Sequence, residues 1–205
     1  MPRESPSRRS MISQPLSRAR ILAAAVRLGD RAGVEAITMR ALGQELGVEA
    51  MSLYHHLPNK AAVLEGIVGV LYAELSVPRA DALPWPEWTR TVCRSYRALA
   101  HRHPALFHLV VGSPLSAPEA APTLGAGLEV FRRAGFSDRD AVFACLVAAT
   151  FVEGFVLNEL GQAGRPLTGS PIELDPRKAE AAFSFGVDAV VAGLRAKLTP
   201  HQTEG

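Results

Sequence analysis

A chain of 205 residues, 48% apolar and 20% charged, can bury a sizeable core and is not a disordered polymer. Its net charge of +2 hides an asymmetry: residues 1–60 hold nine Lys/Arg against five acids, a net of +4, which leaves the remainder at −2. A basic first third on a slightly acidic body suits contact with a polyanion. The two cysteines, Cys93 and Cys145, lie far apart without CxxC spacing, which argues against a disulfide framework or zinc knuckle and fits a reducing cytoplasm. No apolar run follows Arg3, Arg8 and Arg9, so no secretory signal is expected.

In chain order, residues 1–16 are rich in Ser, Arg and Pro without periodicity and read as a flexible N-terminal arm. Ile21, Leu22, Ala25, Val26 and Leu28 predict a first helix that ends near Gly33. Thr38 is the expected N-cap of a second helix carrying Met39, Leu42 and Leu46, with Gly47 as its stop. A short third helix is expected from Glu49 to about His56. Asn59 should cap a fourth, with Leu64, Ile67, Val68, Leu71 and Leu75 on one stripe, weakened by Gly66 and Gly69. Pro78, Pro84 and Pro86 mark 76–86 as a linker. Beyond it the spacing predicts a helix over 87–103 and a short one from Pro104 to Val111, then a loop over 112–122. An amphipathic helix through Leu124, Leu128 and Phe131 should end at Gly135. Two long helices complete the chain, at 138–160 behind a Ser137/Asp140 capping box and at 176–198 behind Asp175-Pro176, with a loop at 161–174 between them. No period-2 alternation appears, so the fold class is all-α.

The segment from Thr38 to Lys60 carries the functional signal. A helix-turn-helix needs apolar residues on the inner face of its supporting helix, here Leu42 and Leu46. It also needs a residue that tolerates positive φ in the turn, here Gly47, followed by an apolar plug, Val48. Leu53 returns the second helix to the core, which leaves Ala50, Met51, Ser52 and Tyr54 on a face able to enter a major groove. From Glu49 to His56 there is no Lys or Arg, and Glu49 stands where a hydroxyl cap would be usual. Phosphate affinity must then come from the arm, Arg40, Lys60 and helix-start N–H groups. Ala50 and Met51 suit thymine methyls, and Ser52 can donate or accept.

Thr38-x-Arg40, Leu46-Gly47-Val48, Leu53-Tyr54-x-His56 and Asn59-Lys60-x-x-Leu64 together resemble the DNA-binding domain of the tetracycline-repressor (TetR) family. The resemblance is strong over 17–72 and looser to the C-terminus, where the two long helices are similar to the dimerising helices of the tetracycline-repressor branch. It implies an N-terminal three-helix helix-turn-helix domain at 17–72, followed by an all-helical ligand-binding and dimerisation domain at 73–205. It further implies base contact by Arg40, Ala50, Met51 and Ser52 on or beside the recognition helix, and phosphate contact at Tyr54, His56 and Lys60, with Thr38 at the start of the supporting helix. The expected partners are double-stranded operator DNA, a second copy of the chain and an unknown small-molecule effector.

The remaining conspicuous residues have plainer alternatives. His55 and His56 diverge by about 100 degrees around a helix and chelate poorly. His101, His103 and His108 lack HExxH or other metal spacing and read as a polar helix end near terminal carbonyls. Cys93 and Cys145 read as small buried hydrophobes. Residues 141–157 are almost wholly apolar, but Glu153 argues against a membrane span, so burial on every side by a subunit interface and a cavity wall is expected. Val147, Val187, Val191 and Leu194 are the expected dimer interface. Trp88, Tyr96, Phe107, Phe151 and Glu153 are the candidate pocket, with Glu153 alternatively an inter-helix hydrogen-bonding group. No cofactor, metal motif or nucleophile–base constellation is visible, which disfavours an enzyme with a fused DNA-binding module. A helical carrier without a DNA role is the other alternative. The reading is a cytoplasmic transcriptional repressor released from a palindromic operator by its effector.

Overall fold

The computed structural model describes residues 15–113, 117–162 and 176–198, which form nine α-helices and no strand. Residues 1–14 of the expected arm, part of the 112–122 loop, the 163–174 portion of the long loop and the Asp175 cap lie outside the described residues. α1 (Arg18–Ala32) starts where Ser17 Oγ accepts the Arg20 N–H, and it buries Ile21, Leu22, Ala25 and Val26. Gly33, at φ 80°, ends it, and a single 3-10 turn over Val34–Ala36 follows that the hydrophobic period gave no sign of. It places Ile37 fully inside the core.

α2 (Met39–Leu46) opens with Thr38 Oγ1 accepting the Ala41 N–H at 3.1 Å. Gly47 closes it at φ 67°, ψ 35°, the left-handed region where a side chain is disfavoured. The turn lets the Val48 N–H reach back to the Gly43 carbonyl at 3.0 Å and sends the chain into α3 (Ala50–Tyr54), shorter than the 49–56 expected. Leu42 and Leu53 are both fully buried, so the pair of helices is held by its inner face. Asn59 Oδ1 accepts the Ala62 N–H at 2.9 Å and starts α4 (Lys60–Ala73). Gly66 has a positive role in α4: a Cβ there would come within 2.5 Å of Leu22 Cδ2, so its absence lets α4 lie closely on α1.

Trp88 Nε1 donates to the Pro78 carbonyl at 2.8 Å and fastens the linker to α5 (Trp85–Arg102). Leu106 leads into α6 (Phe107–Val111) and is fully buried, its Cδ2 so near Gly29 that a Cβ there would lie 2.5 Å away. The base of the C-terminal half is thereby set against α1. α7 (Ala121–Arg133) ends near Gly135 at φ 97°. The capping box forms: Ser137 Oγ accepts the Asp140 N–H and donates to its carboxylate at 2.8 Å, opening α8 (Asp138–Gln162). α9 (Pro176–Lys197) packs Phe183, Val187 and Val191 into the core beside Val152 and Val156 of α8.

α8 is long and apolar enough to cross a membrane by length and composition, but it packs against α5, α7 and α9. Burial on every side, expected from its composition, does not hold within one chain. Val142, Phe143, Leu146, Val147 and Leu157 are 43–51% exposed on its outer side.

Gly47→Ala should fold but melt a few degrees lower, because a left-handed residue with a Cβ costs about 1–2 kcal/mol. Thermal unfolding by circular dichroism measures it; an unchanged Tm would show that the turn relaxes freely.

Candidate nucleic-acid interface and effector cavity

The helix-turn-helix presents a polar groove between α2 and α3, lined by Arg40, Gln44, Glu49 and Ala50 with Gly43, Gly47 and Val48 at its floor. Arg40 is exposed on the outer face of α2, and among the described residues no ion pair engages it. Met51 projects outward at 71% exposure and Tyr54 at 44%, an unusual position for large apolar groups unless something covers them. Ser52 is half-buried and His56 exposed, and both N–H groups are spent inside the helix on Glu49 and Leu53 carbonyls. Glu49 stands at the N-cap of α3 without making a side-chain cap bond. Lys60 pairs with Glu35 at 3.7 Å, and Glu35 is itself almost wholly exposed, so water screens this contact. Gln44 shares the groove and was not anticipated, because a Gln in a supporting helix reads as an ordinary solvated residue.

The second feature is a cavity of about 640 Å³, its mouth included, walled by α4, α5, α7 and α8. Of the candidate pocket residues, Trp88, Tyr96 and Glu153 line it. Phe107 does not: it is 1% exposed and stacks edge-on behind Tyr96, 5.5 Å between centroids. Phe151 does not either, because Cys145, Ala148, Ala149 and Val152 form the cavity stripe of α8. Phe151 sits off that stripe and packs on Phe155 and Phe183. Tyr72, Val92 and Phe131 are also part of the wall. The first was missed because α4 reads as part of the DNA-binding half, although its last turn reaches the cavity.

Tyr96 Oη donates to Glu153 Oε1 at 2.8 Å. Burial pushes the Glu153 carboxyl above the usual range, and the Tyr96 hydrogen bond only partly offsets this. Burial and the Glu153 charge likewise raise the Tyr96 phenol, and burial with the same charge raises Tyr72, whose hydroxyl interacts with that of Tyr96. Burial also raises the thiols, Cys93 to about 12 and Cys145 to about 11, so both remain neutral as expected of small hydrophobes.

The histidines do something other than cap carbonyls. His103, at the end of α5, is held on both ring nitrogens: Nδ1 against Asp30 of α1 at 2.9 Å, and Nε2 against Glu74 just past α4 at 3.1 Å. Arg102 also reaches Glu74, at 3.1 Å. His101 contacts Glu159 at 3.2 Å, and that carboxylate is gripped bidentately by Arg97. Burial would raise the Glu159 carboxyl, but the Arg97 hydrogen bonds and charge outweigh it and hold it below the usual range. His108 is exposed. No metal-binding cluster of His, Cys, Asp or Glu occurs among the described residues.

The expected dimer residues divide. Val147 is 48% exposed. Val187 and Val191 are 3% and 2% exposed within one chain, so the α9 stripe they form belongs to the protomer's own core and cannot meet a partner. Leu194 is half-buried against the Phe131–Phe136 cluster. The outward apolar surface lies instead on α8 and at Phe185 of α9, 78% exposed.

A helix-turn-helix head joined through α4 to a helical body with a largely apolar cavity defines a DNA-binding transcriptional regulator. Comparison with known proteins makes this specific. Residues 21–67 match the family described as bacterial regulatory proteins, tetR family, and residues 77–178 match the tetracyclin repressor-like C-terminal domain. The class A tetracycline repressor from transposon 1721 of Escherichia coli is 33% identical, covering 90% of this chain and 94% of that one. ActR of Streptomyces coelicolor, in complex with (S)-DNPA, has 25% identity and a TM-score of 0.75, over 90% of this chain and 100% of that one. BioQ of Mycobacterium smegmatis has 28% identity and a TM-score of 0.74, over 89% and 99%, and BioQ is also known bound to its natural double-stranded DNA operator. The chain belongs to the TetR family of bacterial transcriptional regulators.

Removing the imidazole that bridges Asp30 and Glu74 should loosen the head from the body. His103→Ala is expected to lower stability by about 1 kcal/mol, or roughly 2–4 °C in Tm, since both carboxylates stay partly solvated. Differential scanning calorimetry measures it, and an unchanged Tm would show that the bridge adds nothing.

Proposed function

We propose that the chain is a cytoplasmic repressor that binds a palindromic operator as a homodimer and leaves it when a small molecule fills the cavity. The observation that carries this reading is the double engagement of α4. Its first turn, at Asn59-Lys60, follows the recognition helix directly, and its last turn puts Tyr72 in the cavity wall. Anything that repacks the cavity therefore acts on the helix that supports the head. The repressor name of the class A relative, the small molecule bound to ActR and the operator bound to BioQ support the same reading. Residues 17–72 then serve as the reading head and 73–205 as sensor and dimerisation body. On this reading the protein is a regulator rather than an enzyme, takes no cofactor or metal and has no membrane partner.

At the DNA, Arg40, Ala50, Met51 and Ser52 read bases, while Thr38, Tyr54, His56 and Lys60 hold phosphates. Met51 and Ala50 offer methyl-to-methyl contact with thymine, and the Arg40 guanidinium suits a guanine edge. Two-fold symmetry requires half-sites about one helical turn, or a multiple of it, apart. The subunit contact is the outward face of α8 with Phe185 of α9. An apolar face of this extent left bare on a soluble chain marks an interaction surface.

Arg40→Ala should cost about 1–3 kcal/mol and relax one base position per half-site, whereas Lys60→Ala should weaken all sequences alike. Mobility shifts on an operator carrying single-base changes decide it; unaltered discrimination after Arg40→Ala would remove that residue from direct readout. For the interface, Phe185→Glu and Val147→Glu should give folded monomers by size exclusion with light scattering. Val191→Asp should instead unfold the chain, since it buries a carboxylate in the protomer's core. Dimers persisting in both surface variants would place the interface elsewhere.

A further inference from the structure

The cavity is chemically one-sided. Glu153 is the only acid on its described wall, and no Lys, Arg or His lines it. Tyr96 satisfies one carboxylate oxygen, and neither Glu153 nor the cavity around it has a cation as partner among the described residues. Aromatic rings of Trp88, Tyr96 and Phe131 stand in the same wall, and Leu75, Val92 and Leu124 make the rest apolar. Each feature selects the same ligand. An anion entering this space would be stripped of water and find no counter-charge. A neutral donor would gain a hydrogen bond to the carboxylate, but a protonated amine would add the attraction of opposite charges in a low-dielectric space and aromatic faces for its positive charge. The rest of the wall, being apolar and aromatic, suits a ring-bearing apolar body.

We propose that the effector is an organic cation, an apolar and aromatic molecule bearing a protonated amine that pairs with the Glu153 carboxylate. The proposal rests on the reading of the cavity as the effector site and names the chemistry that fills it. Tyr96 then acts as the group that holds Glu153 until the amine arrives. Its hydroxyl, once released from the carboxylate, faces Tyr72 at the end of α4.

The test uses the full chain and three probes with one body and different heads: 2-naphthylmethylamine, 2-naphthylmethanol and 2-naphthoate, titrated by calorimetry at pH 7.5. The amine is expected to bind at least tenfold more tightly than the alcohol, and the naphthoate most weakly. In Glu153→Gln the amine should fall to the level of the alcohol while the alcohol is unchanged. Equal affinity of amine and alcohol in the wild type, tightest binding by naphthoate, or no amine binding at all would overturn the proposal. A second measurement needs no variant. Toward acid pH the amine stays protonated while Glu153, its carboxyl raised by burial, takes up a proton, so the amine's advantage should shrink as pH falls. The other titratable groups facing Glu153, Tyr72 and Tyr96 with the thiols of Cys93 and Cys145, stay neutral throughout because burial raises each. A pH-independent ratio would also overturn it. Mobility shift with the amine keeps the two readings apart: Glu153-dependent binding that fails to release operator DNA refutes induction and leaves the cation site standing.

Discussion

The close approach of α4 to α1 is the contact on which the rest of the molecule depends. Leu22 fills the space that a side chain on Gly66 would occupy, and so α4 lies deep enough to be core on one side and cavity wall at its end. Interiors packed at crystal-like density do not deform smoothly. A helix seated this tightly has little room to bend, which is what the proposed route from Tyr72 to Asn59 requires. Glycine lowers the intrinsic helix propensity of this segment, and the structure accepts that cost in exchange for the close contact of α4 with α1.

The head was legible in the sequence because its determinants are local. Thr38, Gly47 and Asn59 each act through backbone groups within three residues, and Leu42 and Leu53 face inward by the helical period alone. What the period cannot say is which body a stripe faces. Val187 and Val191 mark a genuine apolar face of α9, but whether it meets its own protomer or a partner depends on where α5 and α8 stand. Phe151 illustrates the same limit: being on the right helix does not place a ring on the right side of it. Tyr72 escaped notice for the opposite reason, because its helix had already been given to another task. The 3-10 turn at Val34–Ala36 is too short to show any repeat.

Polar groups follow a division of labour between the halves. On the helix-turn-helix, Arg40, Tyr54 and His56 stay at the surface, and neither Arg40 nor His56 enters an ion pair among the described residues. At the seams between helices, charge is bound tightly: His103 between Asp30 and Glu74 joins head to body, and Arg97 with Glu159 joins α5 to α8. The Arg97 guanidinium also lies 4.8 Å over the Phe183 ring, so the pair is packed as well as hydrogen-bonded. Arg97 and Glu159 are largely buried while Asp30 and Glu74 are partly solvated; in both settings the net gain over an apolar contact is small, but the pairs fix the angle at which helices meet.

The cavity stripe of α8 is built from Cys145, Ala148, Ala149 and Val152, and across from it Gly127 has Cys145 so near that a Cβ would lie 2.9 Å from its sulfur. Small residues at such positions act as adjustable spacers. Exchange of one alanine for a larger side chain would redraw the shape of the space without replacing any residue of the head or of the outer face of α8. The shape of the space can thus drift by single steps at positions that lie outside the helix-turn-helix. A lineage of such chains can acquire new chemical signals faster than it acquires new target genes.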